Sequence, residues 1–151
     1  MSQPWIVPQK IDISFRYTAG PALDRFFRGL RDGVLLASRC DGCRRASFPP
    51  VSFCGRCWRP VTDQFAITGR GTVLSFSRLD RLPRALEGLA LPVYLALLAL
   101  DGADSRFVHL VSPAAKPLAC GDPVEAVWRR ERSGTIRDLE GFRVVPSPGK
   151  D

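Results

Sequence analysis

The chain has 151 residues but only one histidine, His109, and only three lysines, Lys10, Lys116 and Lys150. It has no apolar run of the roughly 18 residues that span a bilayer. The longest, Leu89 to Leu100, is interrupted by Pro92 and Tyr94 and reads as a strand covered on both faces. Met1 to Ile6 carry neither a basic n-region nor a long apolar h-region, so the expected location is the cytoplasm. With a single histidine, a nucleophile–base–orienter set has no obvious members: nothing in the sequence pairs His109 or the odd cysteine, Cys120, with a third group. Paired carboxylates, a Gly-rich phosphate loop and a Ser/His/Asp set are all missing, and acidic residues such as Asp101, Asp104 and Asp122 fall in expected turns. There is no internal repeat. The chain reads as non-catalytic by itself.

What is present is arginine and paired cysteine. The net charge of +7 comes almost wholly from arginine. Guanidinium forks match phosphate geometry, so either an anionic ligand or a merely solvated basic surface follows. Cys40-x2-Cys43 and Cys54-x2-Cys57 are separated by ten residues. Two such pairs read as one tetrahedral zinc site, in which each hairpin knuckle offers two thiolates. Gly42 and Gly55 are expected to supply the backbone freedom of the knuckles, with Pro49-Pro50 stiffening the connection. A closed four-thiolate site is structural, and points to a scaffold rather than to metal catalysis.

The residues divide into an N-terminal arm and amphipathic helix (1–36), a zinc ribbon (37–66), a barrel (67–146) and a frayed tail (147–151). Leu23, Phe26, Phe27 and Leu30 recur at helical spacing between Pro21 and Asp32, with Gly33 as the stop. That apolar face either packs on its own domain or grips a partner subunit through Phe26, Phe27 and Leu30. Val34–Ser38 leads into the first knuckle and Phe65–Thr68 leaves the second. Five strands follow: Gly71–Leu79, Leu91–Leu100, Arg106–Val111, Val124–Arg129 and Thr135–Val145. The predicted fold class is mainly β with an N-terminal helix: a rubredoxin-like ribbon and then a five-stranded OB-fold barrel.

One ordered series is more specific than the cysteines. It runs Phe26-Phe27-x-Gly29-Leu30-x-x-Gly33, the two cysteine pairs around Pro49-Pro50, Gly69-x-Gly71-Thr72-Val73-x-Ser75-Phe76, Leu100-Asp101-Gly102 and Gly121-Asp122-Pro123-Val124. This series resembles the zinc-ribbon plus OB-fold acyl-CoA-associated family, domain of unknown function family thirty-five, over Tyr17 to Val145. The resemblance implies an accessory subunit without a nucleophile of its own. Such a subunit would bind the CoA portion of acyl-CoA and scaffold a thiolase-like, or hydratase-like, partner enzyme. The chain departs from the family in having Arg44 where glycine is common and Gly55 where proline is common. A left-handed knuckle would strain Arg44.

CoA carries a diphosphate and a 3′-phosphate, and Arg56, Arg59, Arg70, Arg78, Arg81 and Arg84 lie on the ribbon or near the first barrel strand. If ribbon and barrel pack side by side, these arginines would border one groove, with Trp58 or Phe48 stacking on adenine. Two other classes compete. A zinc ribbon, an OB-fold and positive charge also suit a single-stranded nucleic-acid-binding protein, although Leu95, Leu97, Leu98 and Leu100 stand where aromatic and basic residues would be expected. A stand-alone enzyme lacks an acid–base constellation.

Overall fold

A computed structural model describes Val7, Pro8, Ile13 and residues 16–81, 91–112 and 117–146. The first element is helix α1, Gly20–Asp32, with Pro in its first turn and Gly33 in the left-handed region (φ 77) at its end. There Gly33 N–H donates to Leu30 O at 3.1 Å and Val34 N–H donates to Gly29 O at 2.8 Å, which satisfies carbonyls that a helix end leaves open. Strand β1, Leu35–Arg39, pairs antiparallel with β2, Ala46–Ser47, and with β3, Asp63–Ile67, in the order β2-β1-β3.

The second sheet closes on itself. It is built from β4, Arg70–Leu79; β5, Val93–Leu100; β6, Arg106–Ser112; β7, Pro123–Trp128; and β8, Leu139–Val144. The barrel order is β4-β5-β6-β8-β7, with β6 and β8 parallel and every other pair antiparallel. This is the OB-fold expected from the strand pattern, and the five expected strands are present with ends moved by a few residues. Gly71 allows β4 to close on β5: a Cβ there would lie 2.3 Å from Ala99 O. The largest shift is at Thr135–Val145. A 3-10 turn, Ile136–Asp138, comes first, because the buried Asp138 carboxylate accepts the N–H groups of Ser133, Gly134 and Thr135 and curls the chain before β8.

A single apolar cluster joins helix, ribbon sheet and barrel. Phe26 and Leu30 of α1 pack with Leu35, Phe48, Val73, Leu98 and Phe142. Phe26 meets Phe48 edge-on at 5.8 Å, and Phe48 meets Phe107 at 4.9 Å. Phe26 is 2% exposed and Leu30 0%. Burying such a side chain is worth about 1.5–3 kcal/mol, so this face is committed to the chain's own core. The expectation that Phe26 and Leu30 grip a partner is therefore corrected; Phe27 lies half-buried beside them. Arg132 fastens the helix end: its Nε donates to Arg31 O at 2.9 Å and its Nη1 to Arg129 O at 3.2 Å.

Strand β5 was expected to be covered on both faces. Its inward residues Ala96, Leu98 and Leu100 are buried, but Leu95 on the outer face is 42% exposed. One face alone packs into the barrel.

Candidate metal centre and the surfaces around it

The four cysteines come together on two hairpins of the same design. In the first, Arg44 N–H donates to Cys40 O at 2.8 Å and Cys40 N–H to Arg45 O at 3.0 Å; in the second, Trp58 N–H donates to Cys54 O at 2.9 Å and Cys54 N–H to Arg59 O at 2.9 Å. Each hairpin turns its two sulfurs toward the other. Cys40 Sγ lies 3.5 Å from Cys57 Sγ, Cys43 Sγ lies 3.5 Å from Cys54 Sγ, and all four sulfurs fall within 4.8 Å of one another. A tetrahedron with Zn–S bonds of about 2.3 Å has S···S edges of about 3.7 Å. A disulfide needs about 2.05 Å, and all four thiols are free. The donor set thus fits zinc held by Cys40, Cys43, Cys54 and Cys57, which supplies cross-linking and leaves no open coordination position.

The electrostatics of the quartet favour a cation. The backbone N–H groups of Arg56 and Cys57 lower the Cys54 thiol to about 6, and the N–H of Cys43 draws the Cys40 thiol below its ordinary value. Cys57 receives the Arg59 N–H, yet the neighbouring Cys40, Cys54 and Cys43 thiols and burial push it up to about 11. Backbone donors promote some thiolates while crowding opposes the rest, and a dication removes that conflict. Cys40, Cys54 and Val61 form a small apolar cluster apart from the main core, so a bound metal would be the principal cross-link of the two knuckles.

The glycine expectation is corrected here. Neither Gly42 nor Gly55 has a positive φ; the left-handed residues are Arg44 (φ 61) and Trp58 (φ 59), each directly after the second cysteine of its pair. Gly42 instead leaves room for the exposed Arg59 side chain, which lies across the first knuckle within 2.7 Å of where a Cβ would stand and would have to move aside for one.

The arginines expected to border one groove do not converge. Arg56 shares a cleft of about 270 Å³ with Arg44, Arg45 and Asp104 beside the half-buried Cys43. Trp58, 79% exposed, stands on the same ribbon. Arg70 opens β4 and Arg78 is near its far end, eight residues on, so roughly 26 Å of strand separates them. Arg78 pairs with Asp80 at 2.7 Å; Arg81 is exposed just beyond, and Arg84 lies outside the described residues. Phe48 is 2% exposed in the core and is not available for stacking. Sequence reasoning overlooked Arg44 and Arg45 as neighbours of Arg56. The signal was the repeat of the two knuckles, which places the residues after Cys43 near those flanking Cys57.

Two family models match the chain, described as the "ChsH2, rubredoxin-like zinc ribbon domain" over residues 27–63 and the "ChsH2, C-terminal OB-fold domain" over residues 65–129. A search of curated proteins finds no match. Among solved structures, the chain is similar to a DUF35-family protein of unknown function from Sulfolobus solfataricus, with a TM-score of 0.61, 23% identity, and coverage of 83% of this chain and 84% of that one. It is also similar to a structure titled "Ltp2-ChsH2(DUF35) aldolase", with a TM-score of 0.60, 23% identity, and coverage of 80% of this chain and 91% of that one. At that identity the two structures support the fold alone.

Proposed function

Since this chain belongs to the ChsH2 family of zinc-ribbon and OB-fold proteins, we infer that it is a non-catalytic accessory subunit of an enzyme acting on acyl-CoA. The observation that carries this reading is the pairing, in one chain, of the two domains of a family with a solved member whose title joins ChsH2 to an aldolase. A thiolase-like partner would supply the reacting groups; a hydratase-like partner is the other candidate from the family resemblance. Among the described residues, the exposed Cys120 has no acid–base partner, and His109 is in contact with Phe107 and Phe142.

The ribbon supports a CoA-binding role for this subunit. Arg56, Arg44 and Arg45 line one cleft, where the phosphates of CoA would be held, and Trp58 offers an open ring for adenine. Arg59 would add charge from across the knuckle. Arg70, Arg78 and Arg81 are strung along the barrel and fit contacts to a partner better than contacts to one CoA. The exposed face of β5 shows Leu95 rather than basic and aromatic residues, which argues against single-stranded nucleic acid.

The test is to co-express the chain with thiolase-like and hydratase-like products of neighbouring reading frames and to measure CoA binding by calorimetry on any complex that forms. A stable complex whose CoA affinity falls at least tenfold in an Arg44→Ala, Arg56→Ala variant is the expected result. Failure to assemble with either class overturns the accessory reading; assembly with unchanged CoA affinity overturns the ribbon as its site.

A further inference from the structure

Strand β4 outruns its neighbour on one side of the barrel. It pairs with β7 only at Arg70, Gly71 and Thr72. Val73 makes the last bonds on that side: its N–H donates to Asp122 O at 3.0 Å, and its O accepts from Gly121 N–H at 2.8 Å. On the other side β4 stays paired with β5 down to Leu79↔Val93, past a bulge between Val73 and Ser75. From Leu74 to Leu79, β4 is thus the outer strand of a sheet continued by β5 and β6. Leu74 to Arg78 are all exposed, so both faces of this stretch and its free edge lie in solvent.

The edge carries a definite set of groups. Val73 turns its N–H and C=O to this side, and Leu74 is the extra residue of the bulge. The alternation of an antiparallel ladder then turns the N–H and C=O of Phe76 and of Arg78 to the same side. Among the described residues these donors and acceptors have no partner. Of the devices that guard such an edge, proline and lysine are missing from Leu74–Leu79, and its one charge, Arg78, is balanced by Asp80 at 2.7 Å.

This stretch is complementary to itself. When two copies lie antiparallel about a two-fold axis at Ser77, Phe76 of each copy stands opposite Arg78 of the other. Each of these pairs exchanges both of its N–H···O bonds. Phe76 and Arg78 share one face of the strand, so each guanidinium meets the other copy's ring, which its own Tyr94 already braces at 5.3 Å. An axis at Arg78 would oppose two like charges, and one at Phe76 would set Arg78 against the bulge residue Leu74. We propose that the free edge of β4 takes up the same edge of a second copy of this chain, joining two barrels through one continuous sheet. The net charge of +7 opposes this union, so salt strengthens it.

The test is sedimentation velocity of the zinc-loaded full chain up to about 1 mM, in low and in high salt. A monomer–dimer equilibrium that tightens with salt is expected, and Phe76→Lys, which sets like charges across the join, should weaken it roughly tenfold. Cross-linking checks the register in a Cys120→Ser background. A Ser77→Cys variant should form a disulfide dimer on mild oxidation, because Ser77 meets its own copy at the axis in a closely spaced pair. A Ser75→Cys variant should not, since its two copies stand about 13 Å apart along the ladder. A chain that stays monomeric overturns the proposal, including one whose β4 amides become protected only in an enzyme complex. Equal cross-linking of the two cysteine variants, or association untouched by Phe76→Lys, overturns it as well; the sedimentation of the unsubstituted chain needs no variant to fold.

Discussion

Ala46 and Asp104 are bonded in both directions across 58 residues of chain: Ala46 N–H donates to Asp104 Oδ2 at 2.8 Å, and Asp104 N–H donates to Ala46 O at 2.9 Å. Next to them, Ser105 Oγ accepts from Phe48 N–H and donates to Phe48 O, both at 2.8 Å. Strand β2 of the ribbon is thereby fastened to the turn between β5 and β6. Asp104→Ala is expected to destabilise the chain by about 1 kcal/mol, and Asp104→Asn by less, because an amide oxygen still accepts. Urea unfolding of the zinc-loaded protein checks this; equal losses for the two variants would show that the acceptor is immaterial.

Metal removal should act unequally on the two halves. The two knuckles have a small cluster of their own, whereas helix, ribbon sheet and barrel share the large one. A chelator, or the Cys40→Ser, Cys43→Ser double variant, is expected to deprotect the knuckle amides of Cys40, Arg44, Cys54 and Trp58 in hydrogen exchange while Phe48 and β4–β8 remain protected. CoA binding by an assembled complex should be lost together with the knuckles. Retained CoA affinity in the double variant would remove the ribbon as its site.

Arg44 and Trp58 occupy positions that glycine fits without strain. A left-handed non-glycine residue costs roughly 1–2 kcal/mol, partly offset by the greater chain entropy of glycine when unfolded. Arg44→Gly and Trp58→Gly are each expected to leave stability unchanged or raise it by about 0.5 kcal/mol, while CoA affinity in the assembled complex falls. Thermal melts and calorimetry on the same samples test both halves.

Asp138 gives an acid-side pH dependence. Burial disfavours its charge, but the N–H groups of Ser133, Thr135 and Gly134 and the Thr135 hydroxyl outweigh this and hold its pKa below the ordinary carboxylate value. A depressed folded-state pKa contributes stability that is complete above the unfolded value, near 3.9, and is lost as pH falls through the folded one. The unfolding free energy should therefore decline below about pH 4, and Asp138→Ala, costing about 2 kcal/mol at pH 7, should flatten that decline. An unchanged slope in the variant would assign the acid sensitivity to other groups.

The helix, the two knuckles and the barrel strands were legible because each rests on local rules. Leu23, Phe26, Phe27 and Leu30 repeat with the helical period, cysteines two residues apart chelate from one hairpin, and Asp101-Gly102 turns the chain where β5 ends. The 3-10 turn before β8 was not legible, since it depends on a carboxylate collecting three N–H groups.

The sequence by itself determined the metal donors, the helix and the order of the barrel strands, because spacing and periodicity act over a few residues. Only the tertiary structure decided where the surfaces lie. Packing on Phe48 turned Phe26 and Leu30 inward. The length of β4 kept Arg70 apart from Arg78, and the knuckle geometry assigned positive φ to Arg44 and Trp58 instead of the glycines. The short β4–β7 pairing left the edge of β4 open beyond Val73. Such outcomes depend on contacts between residues distant in the chain, and local composition carries no record of them.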